Sequence, residues 1–203
     1  MRFRYGALPE TEGFKPEEDP AWTLLNEPEI GLMFLGSLLL TAPLSLALYL
    51  AFPDAPMAPD ISGSDYIVQT FLLGIVGLIA TAVVHELVHA LFHPGAGTRE
   101  DSVLGVWTET MSFYAFWLGE WSRWRFIACL LAPAVLLTAA LLALQTAAPS
   151  DAVPVIAAIH LLLCGVDLVG VGLLLTRVPS GAVLRNQGWQ TYWRRPAPAA
   201  ADG

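Results

Sequence analysis

Two histidines and a glutamate stand together in the sequence His85-Glu86-Leu87-Val88-His89. On a helix, residues four apart lie on one face about one turn apart, so both imidazoles can bind the same metal ion. Glu86, beside the first histidine, can reach a water bound to that ion and accept its proton. The pattern therefore predicts a catalytic Zn²⁺ ion held by His85 and His89, with Glu86 as the general base.

A catalytic zinc ion usually has three protein ligands, so the chain must supply one more. Asp167 is the only carboxylate inside the last long apolar run of the sequence. A carboxylate oxygen is a suitable ligand in a catalytic zinc site. We expect Asp167 to be the third ligand, and the alternative is a carboxylate that is paired or carries protons.

Two more residues share the helical stripe of Asp167. His160 and Cys164 precede it by seven and three residues, so all three are expected to face the protein interior. His160 would lie about 10 Å from Asp167 along a straight helix, too far to bind the same ion. We predict that His160 and Cys164 support the metal ligands, with plain packing as the alternative for His160. His93, followed directly by Pro94, is predicted to be an interfacial residue at a helix end.

The composition indicates which elements hold these residues. Hydrophobic residues make up 55% of the 203 residues and charged residues only 14%, a balance typical of membrane proteins. Lipid cannot satisfy an open backbone, so apolar runs of about 20 residues are expected to be transmembrane helices. The predicted fold is an all-α membrane protein that contacts lipid and no nucleic acid. Its four transmembrane helices are expected at residues 30–52, 66–93, 125–145 and 153–177.

The connection between the second and third helices is long enough to form structure of its own. Residues 102–107 and 111–117 are rich in β-branched and aromatic side chains, and only residues 108–110 separate them. This pattern predicts a short β-hairpin. An interfacial loop with aromatic anchors would have a similar composition.

The basic residues indicate how the chain is oriented. All ten lysines and arginines lie before the first helix, between the second and third, or from Arg177 onwards. The positive-inside rule then places both termini and the middle connection in the cytoplasm. We therefore predict an acidic cytoplasmic tail at residues 1–29, expected to be a solvated arm, and a membrane metallopeptidase domain at residues 30–177. Residues 178–203 are predicted to form an interfacial or cytoplasmic tail.

Several of these motifs resemble those of a known family. Residues 75–193 are similar to the small integral-membrane zincin peptidases, which are related in layout to the site-2 proteases. The histidine–glutamate motif is the specific part, and Phe113-Tyr114-Ala115-Phe116, Leu131-Ala132-Pro133 and Cys164-Gly165-Val166-Asp167 support it. Site-2 proteases take an aspartate ligand from a late span, which Asp167 matches, although their usual Asn-Pro or Asp-Gly neighbours are absent. The resemblance implies an intramembrane metalloprotease.

The expected function is zinc-dependent hydrolysis of peptide or membrane-protein substrates near the cytoplasmic face. Zinc would activate a water molecule, Glu86 would pass its proton to the leaving amine, and the hairpin edge would hold an unwound substrate strand. The leading alternative is a haem-binding protein with His85 and His160 as axial ligands. A third interpretation is a non-catalytic metal-bound scaffold, or a proton conductor that uses Glu86 and Asp167.

Overall fold

The structure is a computed structural model that describes residues 1–52 and 64–196. Predictions that concern residues 53–63, in the connection after the first helix, and residues 197–203 lie outside the described residues. Within the described part, the helices are α1 (Ile30–Ala51), α2 (Ser64–Phe92), α3 (Arg123–Ala147), α4 (Ala152–Leu163) and α5 (Gly165–Arg177). The strands are β1 (Arg2–Tyr5), β2 (Thr23–Leu24), β3 (Ser102–Trp107), β4 (Ser112–Trp117), β5 (Trp121–Ser122), β6 (Val183–Gln187) and β7 (Gln190–Arg194).

The long helices have the length and composition of membrane spans. In the described part, α1, residues 74–92 of α2, and α3 are each long and apolar enough to cross a bilayer. Only 22% of the most apolar window of each is buried inside the protein, which leaves a large apolar surface for lipid. Helices α1, α2 and α3 begin and end within two residues of the predicted spans.

The predicted fourth span is bent. Helices α4 and α5 form an angle of 40° at Cys164, and together they are long and apolar enough for one more crossing. At the bend the backbone of Gly165 packs against Ser37 of α1, where a Cβ atom would lie 2.7 Å from the serine Cβ. The hydroxyl of Thr41 donates to the Ser37 carbonyl at 2.8 Å within α1 and lies 3.5 Å from the Leu162 carbonyl, so α1 also packs closely against the end of α4.

The prediction of an all-α fold is wrong, because two β-sheets cover one end of the helices. The predicted hairpin is present as β3 and β4, which pair antiparallel with Val103 opposite Phe116. Strand β1 adds to β3 in parallel, giving a three-stranded sheet in the order β1-β3-β4. The second sheet has the order β2-β7-β6-β5, and all of its pairs are antiparallel.

Both ends of the chain take part in these sheets. The N-terminal segment, whose acidic composition predicted a solvated arm, supplies β1 and β2. The C-terminal segment forms the hairpin β6–β7, in which Gly188 adopts a φ of 54° in a two-residue turn. Strands β1 and β2 pair with segments more than 90 residues away, as the bonds between Gly6 and Val106 and between Leu25 and Thr191 show. Local composition carries no signal for pairing of this kind.

Two arginines at the start of α3 hold the ends of two other helices. Arg123 donates to the carbonyls of Leu174 and Leu175, both at 3.1 Å, near the end of α5. Arg125 donates to the carbonyls of Phe92 and His93, at 2.8 and 2.9 Å, at the end of α2. Carbonyls in the last turn of a helix lack partners within the helix, so each guanidinium caps one C-terminus.

Candidate metal centre

Helix α2 carries the two histidines of the motif on its inner face. His85 and His89 are each only 7% exposed, and their Nε2 atoms lie 3.0 Å apart. The carboxylate of Asp167, on the first turn of α5, reaches both rings from the opposite side. Its Oδ2 lies 3.1 Å from His85 Nε2 and 3.4 Å from His89 Nε2. The structure therefore brings together the three residues that the sequence suggested as metal ligands.

The spacing of these three atoms fits a zinc ion. Zinc bonds to imidazole nitrogen and carboxylate oxygen are about 2.0–2.2 Å long, so neighbouring ligand atoms in a tetrahedral site lie about 3.3–3.6 Å apart. The separations of 3.0, 3.1 and 3.4 Å are close to this range. Two imidazoles and one carboxylate are also a donor set found in catalytic zinc sites, where a fourth position is kept for water or substrate.

The far nitrogen of each ring is held by a second contact. His89 Nδ1 donates to the carbonyl oxygen of Cys129 at 2.9 Å. In a regular helix that carbonyl would accept from residue 133, but Pro133 has no N–H. The proline of α3 thus leaves a backbone acceptor available to His89, and the bond directs His89 Nε2 towards Asp167.

His85 is held by His160, the residue that was expected to lie too far from Asp167 to bind the same ion. Its Nδ1 lies 3.2 Å from His160 Nε2, and Cys164 Sγ lies 3.5 Å from the same His160 nitrogen. His160 and Cys164 are fully buried. Because the helix bends at Cys164, His160 and Asp167 both contact His85, one at each ring nitrogen. His85, His160 and Cys164 form a second group with ligand-like spacing, but it lies wholly in the interior.

Glu86 contacts the hairpin rather than another helix. Its Oε2 accepts a hydrogen bond of 2.7 Å from the backbone N–H of Ala115 in β4. The sequence placed Glu86 beside the metal ligands, but no sequence signal identifies a backbone group as its partner. The contact fixes the carboxylate between the motif helix and the outer strand of the first sheet.

The metal ligands and Glu86 line a cavity of about 700 Å³. Its wall includes the outer strand β4, the inner faces of α2 and α5, and residues from both ends of the chain. Glu27, Asn186 and Thr191 belong to these terminal segments, which the sequence assigned to tails. The site is therefore a concave space with a few convergent polar groups, as is usual for ligand sites.

His93 is not the interfacial residue that the sequence predicted. It is 1% exposed, its Nδ1 lies 2.7 Å from Ser102 Oγ, and its ring packs edge-on against Trp121. The following turn folds back under the hairpin, which covers the helix end. His93 directly follows α2, eight residues after His85, and it lines the same cavity.

The motif helix and its two histidines with one carboxylate match the donor set of zincin-type metal sites, and the long helices are suited to a membrane. The chain belongs to the family described as "putative zincin peptidase", whose model matches residues 78–183, just over half of its length. The matched region contains all three candidate metal ligands and Glu86. Comparisons with curated proteins and with solved structures gave no match.

Proposed function

We propose that the chain is a zinc-dependent peptidase that cleaves membrane-associated substrates near the cytoplasmic face of the membrane. The observation that carries this proposal is the convergence of His85 Nε2, His89 Nε2 and Asp167 Oδ2 in the wall of one cavity, beside Glu86. Membership of a zincin family supports zinc as the metal. The apolar helices support a substrate that is itself in or at the membrane.

The chemistry follows from the side chains around this point. A bound zinc ion supplies a Lewis acid that polarises a carbonyl and activates water. Glu86 is placed to accept a proton from the attacking water and to return it to the leaving amine. The N–H of Ala115 holds the Glu86 carboxylate in one position, so little reorganisation is needed before proton transfer.

Strand β4 supports an extended substrate next to Glu86. It lies at the edge of its sheet, and the Ala115 N–H points away from β3 towards Glu86. Peptide groups alternate in direction along a strand, so those of Phe113 and Trp117 also point outward. Both residues line the cavity. A substrate segment that has unwound from a helix can therefore pair with this edge and present its backbone to the metal centre.

The geometry gives no support to a haem protein. Axial haem ligands bind on opposite faces of a flat macrocycle. His85 Nδ1 and His160 Nε2 are in direct contact at 3.2 Å, with ring centroids 5.4 Å apart, and no macrocycle fits between them. A non-catalytic metal scaffold is the alternative that needs an experiment.

The proposal is tested by metal content and hydrolysis in the same preparations. We expect one zinc ion per chain, lost in Asp167→Ala and retained in Glu86→Gln. The Glu86→Gln variant should hydrolyse a reporter with one apolar span about 10²–10⁴-fold more slowly than the unmodified protein, because it lacks the general base. Glu29→Gln, at an exposed position with the same charge change, is the matched control. Equal rates for Glu86→Gln and the unmodified protein would exclude a peptidase and favour the scaffold.

A further inference from the structure

The cavity has polar lining residues besides the candidate metal ligands and Glu86. Glu27, Asn186 and Thr191 are three of them. Glu27 precedes α1, and the other two residues face each other across the hairpin β6–β7. None of them has a place in the chemistry described above.

Glu27 is a partly buried carboxylate without an ion pair. Its Oε1 accepts the Thr191 N–H at 2.9 Å, but no basic nitrogen among the described residues lies within 4.0 Å of it. Arg177 is the nearest cation with an influence on its charge, and its guanidinium donates to the carbonyls of Leu25 and Asn26. Burial raises the pKa of Glu27, which reflects a carboxylate that has lost water without gaining a cation.

Asn186 has a side-chain acceptor that lacks a donor. Its side-chain oxygen is buried and has no hydrogen-bond partner in the part of the chain that the structure describes. Thr191 lies opposite Asn186 in the hairpin. Its N–H donates to Glu27 and its carbonyl accepts from the Leu25 N–H, both on the strand edge that faces away from Asn186. Buried acceptors are costly when unpaired, so this part of the cavity lining is suited to a group with several donors and a positive charge.

We infer that Glu27, Asn186 and Thr191 bind a lysine or arginine side chain of the substrate. This inference rests on the proposed peptidase function, and it specifies the substrate class. Membrane proteins carry an excess of lysine and arginine just inside the cytoplasmic ends of their spans. A substrate with its unwound span end at β4 would therefore carry a basic residue into the cavity that Glu27 also lines. The net charge of −8 on the chain favours the approach of such a segment.

A binding measurement tests the subsite separately from catalysis. The probe is a synthetic peptide with about 20 alanine and leucine residues followed by one lysine, compared with the same peptide carrying glutamine. Both are titrated against the full-length Glu86→Gln protein in nanodiscs. We expect the lysine peptide to bind about tenfold more tightly, as for a hydrogen bond to a charged group. Adding Glu27→Gln should remove the difference, and Asn186→Leu should reduce it. Adding Glu29→Gln, with the same loss of charge at an exposed position, should preserve it.

The outcomes separate this inference from the proposed function. Selective binding of the lysine peptide, together with no hydrolysis of the reporter by the unmodified protein, would support the subsite and count against the peptidase. Equal affinities for the two peptides would overturn the subsite even in a protein that binds zinc and cleaves the reporter. The comparison of the lysine and glutamine peptides uses protein in which Glu27 is unchanged. It therefore still tests the subsite if Glu27→Gln fails to fold. A lysine preference that Glu29→Gln abolishes as fully as Glu27→Gln would also overturn it, because it would reflect net charge alone.

Discussion

At the scale of single residues, the candidate metal centre depends on groups that bind no metal. Cys129 contributes a backbone oxygen to His89, and Pro133 leaves that oxygen free. His160 contributes a ring nitrogen to His85. Contacts of this kind set the tautomer and orientation of metal-binding histidines, and their loss typically lowers metal affinity 10–100-fold.

The role of Pro133 can be tested by restoring the missing donor. In Pro133→Ala the new N–H competes with His89 for the Cys129 carbonyl, so we expect about tenfold weaker zinc binding in competition with a chelator. The melting temperature should be unchanged or higher, because alanine is a far better helix residue than proline. Pro43→Ala, in the interior of α1, is the matched control and should leave zinc affinity unaltered. Unchanged affinity in Pro133→Ala would refute this role.

His160 offers a second test, of support against packing. His160→Leu removes the acceptor for His85 Nδ1, and we expect zinc affinity to fall about 10–100-fold. His160→Gln can still accept a hydrogen bond through its amide oxygen and should recover part of the loss. If both variants bind zinc as tightly as the unmodified protein, His160 merely fills space.

The sequence located the candidate metal ligands better than the groups that support them. His85 and His89 follow from their spacing, and Asp167 from being the one carboxylate in its apolar run. His160 was expected to support the ligands without sharing an ion with Asp167, and it contacts the other ring nitrogen of His85. The sequence did not indicate the bend at Cys164, which packs against α1. The Ala115 N–H and the Cys129 carbonyl are backbone groups, and every residue has such groups, so side-chain patterns cannot identify them.

At the scale of elements, α3 joins the two helices that carry the candidate ligands. Arg123→Met and Arg125→Met each remove the guanidinium donor of two carbonyls, at the ends of α5 and α2 respectively. The carbonyls of Leu174 and His93 keep backbone donors, so the variants leave those of Leu175 and Phe92 without a donor. We expect each change to destabilise the protein by about 1–3 kcal/mol, measured by thermal unfolding in detergent. Arg195→Met, at an exposed position, controls for the loss of charge. Full stability in either variant would show that water caps these carbonyls equally well.

The outer strand β4 makes a separate prediction about substrate. Phe113→Pro removes a backbone N–H that points away from β3, so the sheet keeps its own hydrogen bonds while an incoming strand loses a donor. We expect reporter cleavage to fall about tenfold, because the substrate loses one backbone hydrogen bond and the alignment that it gives. The zinc content should be unchanged. Phe113→Ala removes the side chain but keeps the N–H, and it should retain more activity. A larger loss in Phe113→Ala would assign the effect to the side chain instead.

The elements show where sequence patterns stop being informative. The hairpin β3–β4 was predictable because both strands and their turn lie within 16 residues, from Ser102 to Trp117. The short strands β1, β2 and β5 gain their partners only from distant segments, and the Pro- and acid-rich composition around β1 and β2 resembles that of a solvated arm. Their pairing is a tertiary effect, which local propensity does not report.

At the scale of the whole molecule, the sheets restrict how the helices cross the membrane. The N-terminal segment pairs with the connection between α2 and α3 through β1 and β3, and with the C-terminal segment through β2 and β7. Hydrogen-bonded strands lie on one side of a bilayer, so each pair of these segments is separated by an even number of crossings. In the proposed membrane arrangement, helices α1 and α2 supply two crossings and α3 supplies a third. The bent pair α4–α5 must then complete one crossing rather than return as a re-entrant loop.

This argument and the distribution of basic residues lead to one prediction about topology, with both sheets in the cytoplasm. A cysteine at Met111, which is 90% exposed in the hairpin turn, should react with a membrane-impermeant maleimide in inside-out vesicles only. A cysteine at the exposed Ala148, after α3, should react in right-side-out vesicles only. The native Cys129 and Cys164 are buried, so the unmodified protein serves as the unlabelled control. Labelling of both positions from one side would mean that α3 does not cross the membrane. The reverse pattern would retain the four crossings, but it would place the candidate metal centre near the external face.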